Sequence, residues 1–196
     1  MKALKVLGMA VGAAMLASPA FAGSTLDEVM DRGAVRCGVS GSLAGFSIPD
    51  SKGVMQGLDA DVCRAVAAAV LGDANAVEFV PLSAQQRFTA LQSGEVDVLS
   101  RNTTWTLTRD TALGLNFTNV TFYDGQGFMV PTSLGVSTAA ELDGAAICVQ
   151  TGTTTEKNLT DYFRATGMSF DPVVFEGFEE SVTAFVNGRC DVYTTD

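Results

Sequence analysis

Along the chain, short apolar runs alternate with stretches in which apolar residues recur at helical spacing. The runs at 35–39, 77–81, 96–99, 121–130, 145–150, 173–175 and 190–195 read as strands. Helices are expected between them. Their starts carry hydroxyl and carboxylate or amide pairs three residues apart: Thr25 with Glu28, Ser83 with Gln86, Thr138 with Glu141, and Thr153 with Glu156. In such a pair the hydroxyl accepts from an unsatisfied amide of the first turn, and the later side chain reaches back to the cap. Gly33, Gly72, Gly94, Gly144 and Gly167 follow the helical patterns, where a left-handed residue ends a helix. In the helix near 61–71, Val62, Val66, Ala69 and Val70 form the expected apolar face. The alternation predicts an α/β protein.

A break lies near 125–133, where Pro131-Thr132-Ser133 interrupts a β-rich run and a new helix and strand series begins at Thr138. It divides the chain into a first lobe, 23–130, and a second, 131–196, with 121–132 as the crossing strand. No internal repeat or low-complexity segment is evident. The first residues differ from everything that follows. Lys2 and Lys5 precede an apolar stretch at 6–16, and Ala20-Phe21-Ala22 has the small-x-small pattern of a cleavage site. Residues 1–22 are therefore read as an export signal cleaved after Ala22. The apolar stretch is shorter than the roughly 20 residues of a membrane span, so no stable membrane insertion is expected.

Composition narrows the chemistry. The chain has net charge -10, and no histidine. The acidic balance argues against nucleic acid, which needs a basic footprint. Lack of histidine removes the commonest general base and metal ligand, and with them Ser/His and Cys/His catalysis. The four cysteines, Cys37, Cys63, Cys148 and Cys190, are too widely spaced for a zinc site. Export favours disulfides over free buried thiols. Sequence permits three pairings; the lobe layout favours Cys37 with Cys63 and Cys148 with Cys190. Asp59 and Asp61 lack the remaining ligands of a calcium loop and read as helix-starting acids. Neither metal nor cofactor is expected.

Several motifs occur in a telling order: Gly57-Leu58-Asp59-Ala60-Asp61-Val62, Gln86-Arg87-Phe88-Thr89-Ala90-Leu91-Gln92-Ser93-Gly94-Glu95-Val96-Asp97, Arg101-Asn102-Thr103-Thr104-Trp105-Thr106-Leu107-Thr108-Arg109, Gln150-Thr151-Gly152-Thr153-Thr154, and Asn187-Gly188-Arg189-Cys190-Asp191 before Asp196. From about residue 25 onward the chain resembles the amino-acid-binding proteins of bacterial ABC transporters, solute-binding protein family 3, and within it the general L-amino-acid-binding branch. The resemblance implies a two-lobed, type II periplasmic-binding-protein fold whose second lobe is incomplete here. It implies a monomer in the periplasm that binds a free L-amino acid and hands it to a membrane permease.

The resemblance also implies a site. A free amino acid carries a carboxylate and an ammonium, and burying either unpaired costs several kcal/mol. Arg109 matches the residue that grips the α-carboxylate, for which a planar guanidinium suits two oxygens. The carbonyl of Asn102 and the hydroxyl of Thr104 match acceptors for the ammonium, and the Thr104 amide a donor to the carboxylate. Thr154, with Thr155 beside it, offers helix-start amides to the same carboxylate, and Asp196 matches the acid that holds the ammonium. Phe46 matches a position that can pack on the ligand. Trp105 either lines the site or packs beside it. Where binders of cationic amino acids carry an acid and an aromatic, this chain has Ser40 and Leu43. Broad or polar-neutral specificity is therefore expected, with Ser40, Leu43 and Gln86 in the side-chain pocket. Two other readings share the fold: a dehydratase of the arogenate or prephenate type, and the ligand-sensing lobe of a receptor.

Overall fold

The computed structural model describes residues 24–196; the expected export segment 1–22 lies outside them. The N-terminal unit begins with α1 (Ser24–Arg32), β1 (Val35–Val39), a hairpin of β2 (Ile48–Pro49) and β3 (Met55–Gln56), and α2 (Leu58–Leu71). It continues through β4 (Val77–Pro81), α3 (Arg87–Gln92), β5 (Val98–Leu99) and α4 (Leu107–Thr111). The C-terminal unit holds β6 (Gly127–Met129), β7 (Ala146–Gln150), α5 (Thr154–Thr166), β8 (Asp171–Phe175), α6 (Phe178–Val186) and β9 (Val192–Thr195). The result is the α/β alternation that the sequence predicts.

Each unit has its own sheet. In the first the order is β4-β1-β5, all parallel, with Val35 opposite Val77 and Cys37 opposite Val98. In the second it is β6-β9-β7-β8; β7 runs parallel to β8 and β9, and β6 is antiparallel to β9. The central strands β1 and β7 are almost wholly buried, as expected where helices cover both faces of a parallel sheet. α2 buries Ala60, Cys63 and Ala67 against β1, with Val66 and Val70 half-buried at the side. The expected face was rotated: Ala69 is exposed, because α2 starts at Leu58 and its small residues, not its valines, allow the closest approach.

Two strand expectations need correction. Of 121–132, only Gly127–Met129 forms a strand, and it pairs with β9 in the second sheet, so no continuous strand crosses between the units. Of 96–99, only Val98–Leu99 pairs, because the Val96 amide turns back to the Ala90 carbonyl. Capping also varies. Ser83 and Gln86 exchange both expected hydrogen bonds, whereas Thr25 lies inside α1, not ahead of it. Thr153 caps α5 by accepting from the Glu156 amide, while the Glu156 carboxylate reaches one residue further, to the Gly152 amide and the Thr151 hydroxyl.

Disulfides join Cys37 to Cys63 and Cys148 to Cys190, the pairing that the layout favours. The first ties β1 to α2. The second ties β7 to the turn before β9. Gly57 shows why that position needs glycine: its φ is 118°, and a Cβ there would lie 2.5 Å from the Phe46 carbonyl. The Phe46 carbonyl in turn accepts the Asp59 amide at the start of α2.

Candidate functional site

The loop after β5 and the start of α5 meet across the gap between the units. Thr104 and Thr154 bring their hydroxyls to 2.9 Å. Thr104 donates to one Asp196 carboxylate oxygen at 3.2 Å, and Thr155 approaches the other at 3.4 Å. Between them lies a small cavity of about 10 Å³ to which Asn102, Thr154 and Asp196 contribute. The structure thus brings Asn102, Thr104, Thr154, Thr155 and Asp196 to one place, although they are separated by up to half the chain. Gly152 allows this approach. Its φ is 75°, and a Cβ there would sit 2.9 Å from the Gln85 side chain of the opposite unit.

Arg109 is held one layer behind. Thr106 caps α4, accepting the Arg109 amide, and the Arg109 guanidinium donates to the Thr104 carbonyl at 2.8 Å. Burial holds its pKa below the ordinary arginine value, an effect that the charge of Asp196 opposes. Its guanidinium stacks on the Phe88 ring at 5.1 Å, and Arg87 stacks on the same ring at 4.9 Å, both within reach of favourable cation–π contact.

Arg87 is one of two buried arginines, with Arg101, that the sequence did not single out. It is 2% exposed yet contributes to the cavity wall. One guanidinium nitrogen donates to the Asn102 carbonyl at 3.1 Å and to the Thr103 hydroxyl at 3.3 Å; another donates to the Gly152 carbonyl of the other unit at 3.3 Å. The carbonyl expected to receive an ammonium is therefore already bonded to a cation. Burial, then the nearby charges of Arg101 and Arg109, depress the Arg87 pKa to about 9. Its motif was visible in the sequence, but an arginine letter does not reveal burial.

Arg101 is also buried, donating to the Leu82 carbonyl and the Asn102 side chain. Burial lowers its pKa to about 10 against the opposing charge of Asp59. Asp59, 3% exposed, has its pKa raised to about 6 by burial despite Arg101.

A second, larger cavity of about 230 Å³ opens beside the first, and Ser40, Ser83, Arg101 and Glu176 contribute to its walls. Gln150 lines both cavities. The other expected pocket residues line neither: Leu43 bridges to Ser47, Gln86 is engaged with Ser83, and Phe46 packs edge-on against Phe122 at 5.1 Å. Trp105 stacks on Phe117 at 5.5 Å. Among the described residues no cluster suited to a metal occurs, and no helix is long and apolar enough to cross a membrane.

The chain is 59% identical, over 98% of its length, to the general L-amino acid-binding periplasmic protein AapJ of Rhizobium johnstonii, and covers 57% of it. It is 57% identical over its whole length to the glutamate/glutamine/aspartate/asparagine-binding protein BztA of Rhodobacter capsulatus, and covers 58% of that protein. It thus spans somewhat over half the length of these curated relatives. Among solved structures it superposes, with a TM-score of 0.83 and 57% identity, on an ABC transporter periplasmic binding protein of Brucella ovis with glutathione bound, covering 88% of this chain and 54% of that one. Residues 35–165 match the bacterial extracellular solute-binding proteins, family 3. The chain belongs to that family.

Proposed function

We propose that the protein captures a free L-amino acid in the periplasm, after loss of residues 1–22, and delivers it to the membrane permease of an ABC transporter. The observation that carries this reading is the convergence of Asn102 and Thr104 from one unit with Thr154, Thr155 and Asp196 from the other, backed by Arg109. An α-carboxylate would take Arg109 and the amides of Thr104 and Thr154; an α-ammonium would take Asp196, the Thr104 hydroxyl and the Asn102 carbonyl. Some of these groups now bond to one another, Thr104 to Thr154 and Asp196, and Arg109 to the Thr104 carbonyl, while the Asn102 carbonyl accepts from Arg87. A ligand would replace those bonds with its own, and would favour the closed arrangement by its extra contacts to the C-terminal unit. Glutathione, bound to the Brucella ovis relative, also carries an α-amino and α-carboxylate pair, so a ligand with an amino-acid head suits the same reading. Calorimetry of the protein expressed from its full reading frame, against the twenty amino acids, tests it. Binding is expected for at least one, and Arg109→Ala should weaken it about a thousandfold, as removal of one member of a desolvated charge pair does. Near-normal affinity in that variant would overturn the role of Arg109.

A further inference from the structure

Among the described residues, the hydrogen bonds that join the loop after β5 and its neighbour α3 to the C-terminal unit are of two kinds. Thr104 meets Thr154 and Asp196 through groups that an amino-acid head would claim. Arg87 meets the Gly152 carbonyl at 3.3 Å, and that carbonyl is not among the groups a head would use. The first kind gives way to a ligand. The second can stay in place beside one.

Arg87 is prepared for this contact from its own side. One terminal nitrogen is committed to the loop after β5, donating to the Asn102 carbonyl and the Thr103 hydroxyl, while the other reaches Gly152. The guanidinium lies on the Phe88 ring, and its Nε is buried without an acceptor. Both terminal nitrogens are thus occupied by protein oxygens, although the residue contributes to the cavity wall. A side chain held this firmly in its own unit loses little further freedom when the units meet. A planar fork suits the task, because it can bond to one unit with each arm.

Gly152 is fixed in turn. Its amide donates to the Glu156 carboxylate at 2.9 Å, which ties it to the first turn of α5. Lack of a side chain lets it lie against the other unit, where a Cβ would fall 2.9 Å from the Gln85 side chain and 3.2 Å from the Gln85 amide nitrogen. The bond therefore runs between two anchored points: the loop that carries Thr104, and the helix start that carries Thr154.

Resting on the amino-acid reading above, we infer that Arg87 is a positioning residue that latches the two units through the Gly152 carbonyl and so sets how long a ligand is held. The bond forms only after the units have met, so it acts on release and not on capture. It acts alike on every amino acid, because the ligand's side chain takes no part in it.

The test is stopped-flow release of L-glutamine, L-glutamate and L-alanine from the protein expressed from its full reading frame. Arg87→Met should speed release of all three about tenfold or more, the scale of one hydrogen bond from a charged donor. Association should change by less than about threefold. Arg87→Lys keeps the charge but not the fork, and should still release each ligand about threefold faster than wild type. Because Arg87 is buried, Gly152→Ala reaches the same contact from the other unit: its Cβ presses on Gln85. It should speed release about as much as Arg87→Met, and combining the two should add little, as for changes that break one shared contact. Acceleration confined to glutamate would make Arg87 a contact to the ligand's side chain and overturn the latch. Wild-type release rates in Arg87→Met or Gly152→Ala would overturn it too, and each of these results leaves amino-acid capture standing. Failure of the wild-type protein to bind any amino acid would overturn both.

Discussion

In the N-terminal unit the strands β4-β1-β5 run parallel, and in the C-terminal unit β8-β7-β9 do the same. A Gly-x-x-Asp turn precedes the last strand of each, at Gly94 to Asp97 and Gly188 to Asp191, and its aspartate clamps the central strand twice. Asp97 donates its amide to the Arg36 carbonyl and accepts the Arg36 amide; Asp191 does the same with Ala146. The third residue of each central strand is a disulfide cysteine, Cys37 or Cys148. The contents differ. The C-terminal unit packs Leu142, Ile147, Val149, Leu159, Phe163 and Val192 into one apolar cluster and Cys148, Phe175, Ala184, Cys190 and Tyr193 into another, and buries no charged residue among those described. The N-terminal unit divides its core into smaller clusters and buries Asp59, Arg87, Arg101 and Arg109. One plan thus serves two tasks: a unit with buried charges on one side, and a partner with an uncharged core that meets it with hydroxyls and helix-start amides.

The largest expected effect comes from the disulfides. A bridge stabilises mainly by restricting the unfolded chain, more so for a longer loop. The separations of 42 and 26 residues predict about 4 kcal/mol for Cys148–Cys190 and about 3.5 kcal/mol for Cys37–Cys63. Urea unfolding of the paired alanine variants checks the order. A larger loss for Cys37→Ala with Cys63→Ala would mean that the charged unit depends on its bridge beyond loop closure, which would sharpen the contrast between a core with buried charges and one without.

Much of this contrast was hidden in the sequence, for physical reasons. Central strands such as 35–39 and 145–150 were legible because burial on both faces demands continuous apolar runs. Edges were not, since their extent depends on the partner: β6 keeps only the three residues that pair with Thr195, Thr194 and Tyr193 of β9. The β2–β3 hairpin was missed because its strands are two residues each, its one cue being the turn cluster Pro49 to Gly53. The motifs singled out Asn102, Thr104, Thr154, Thr155 and Asp196, which the fold gathers. They did not single out Arg87 or Arg101, because exposure is set by the packing around a side chain and not by its type. The repeated plan escaped notice because its shared residues are few and its cores differ.

The next effect isolates the cost of charge in the N-terminal unit. Burial raises the Asp59 pKa from 3.8 to about 6, so the folded protein holds this proton more tightly than the unfolded chain does. The resulting stability is full below about pH 4, falls as the pH rises through 6, and amounts to about 3 kcal/mol in all. Asp59→Asn should flatten the change in melting temperature between pH 4.5 and 7.5. An unchanged profile would place the titration elsewhere and weaken the view that this unit sacrifices stability for charge.

The smallest effect compares the two clamps directly. Asp97 accepts from the Arg36 amide at 2.8 Å and also from the Arg32 side chain, with its own side chain 6% exposed. Among the described residues Asp191 accepts only the Ala146 amide, at 2.9 Å, in an exposed setting. Hydrogen bonds to a charged acceptor contribute more where water is excluded, so Asp97→Ala should cost about 2 kcal/mol and Asp191→Ala about 1 kcal/mol. Both losses can be read from urea unfolding in one buffer. The difference tests whether the same turn has been given more electrostatic work in the unit that carries the arginines. Equal losses would show that the Arg32 contact adds nothing, and that the two units differ in their ligand-facing residues but not in how their sheets are fastened.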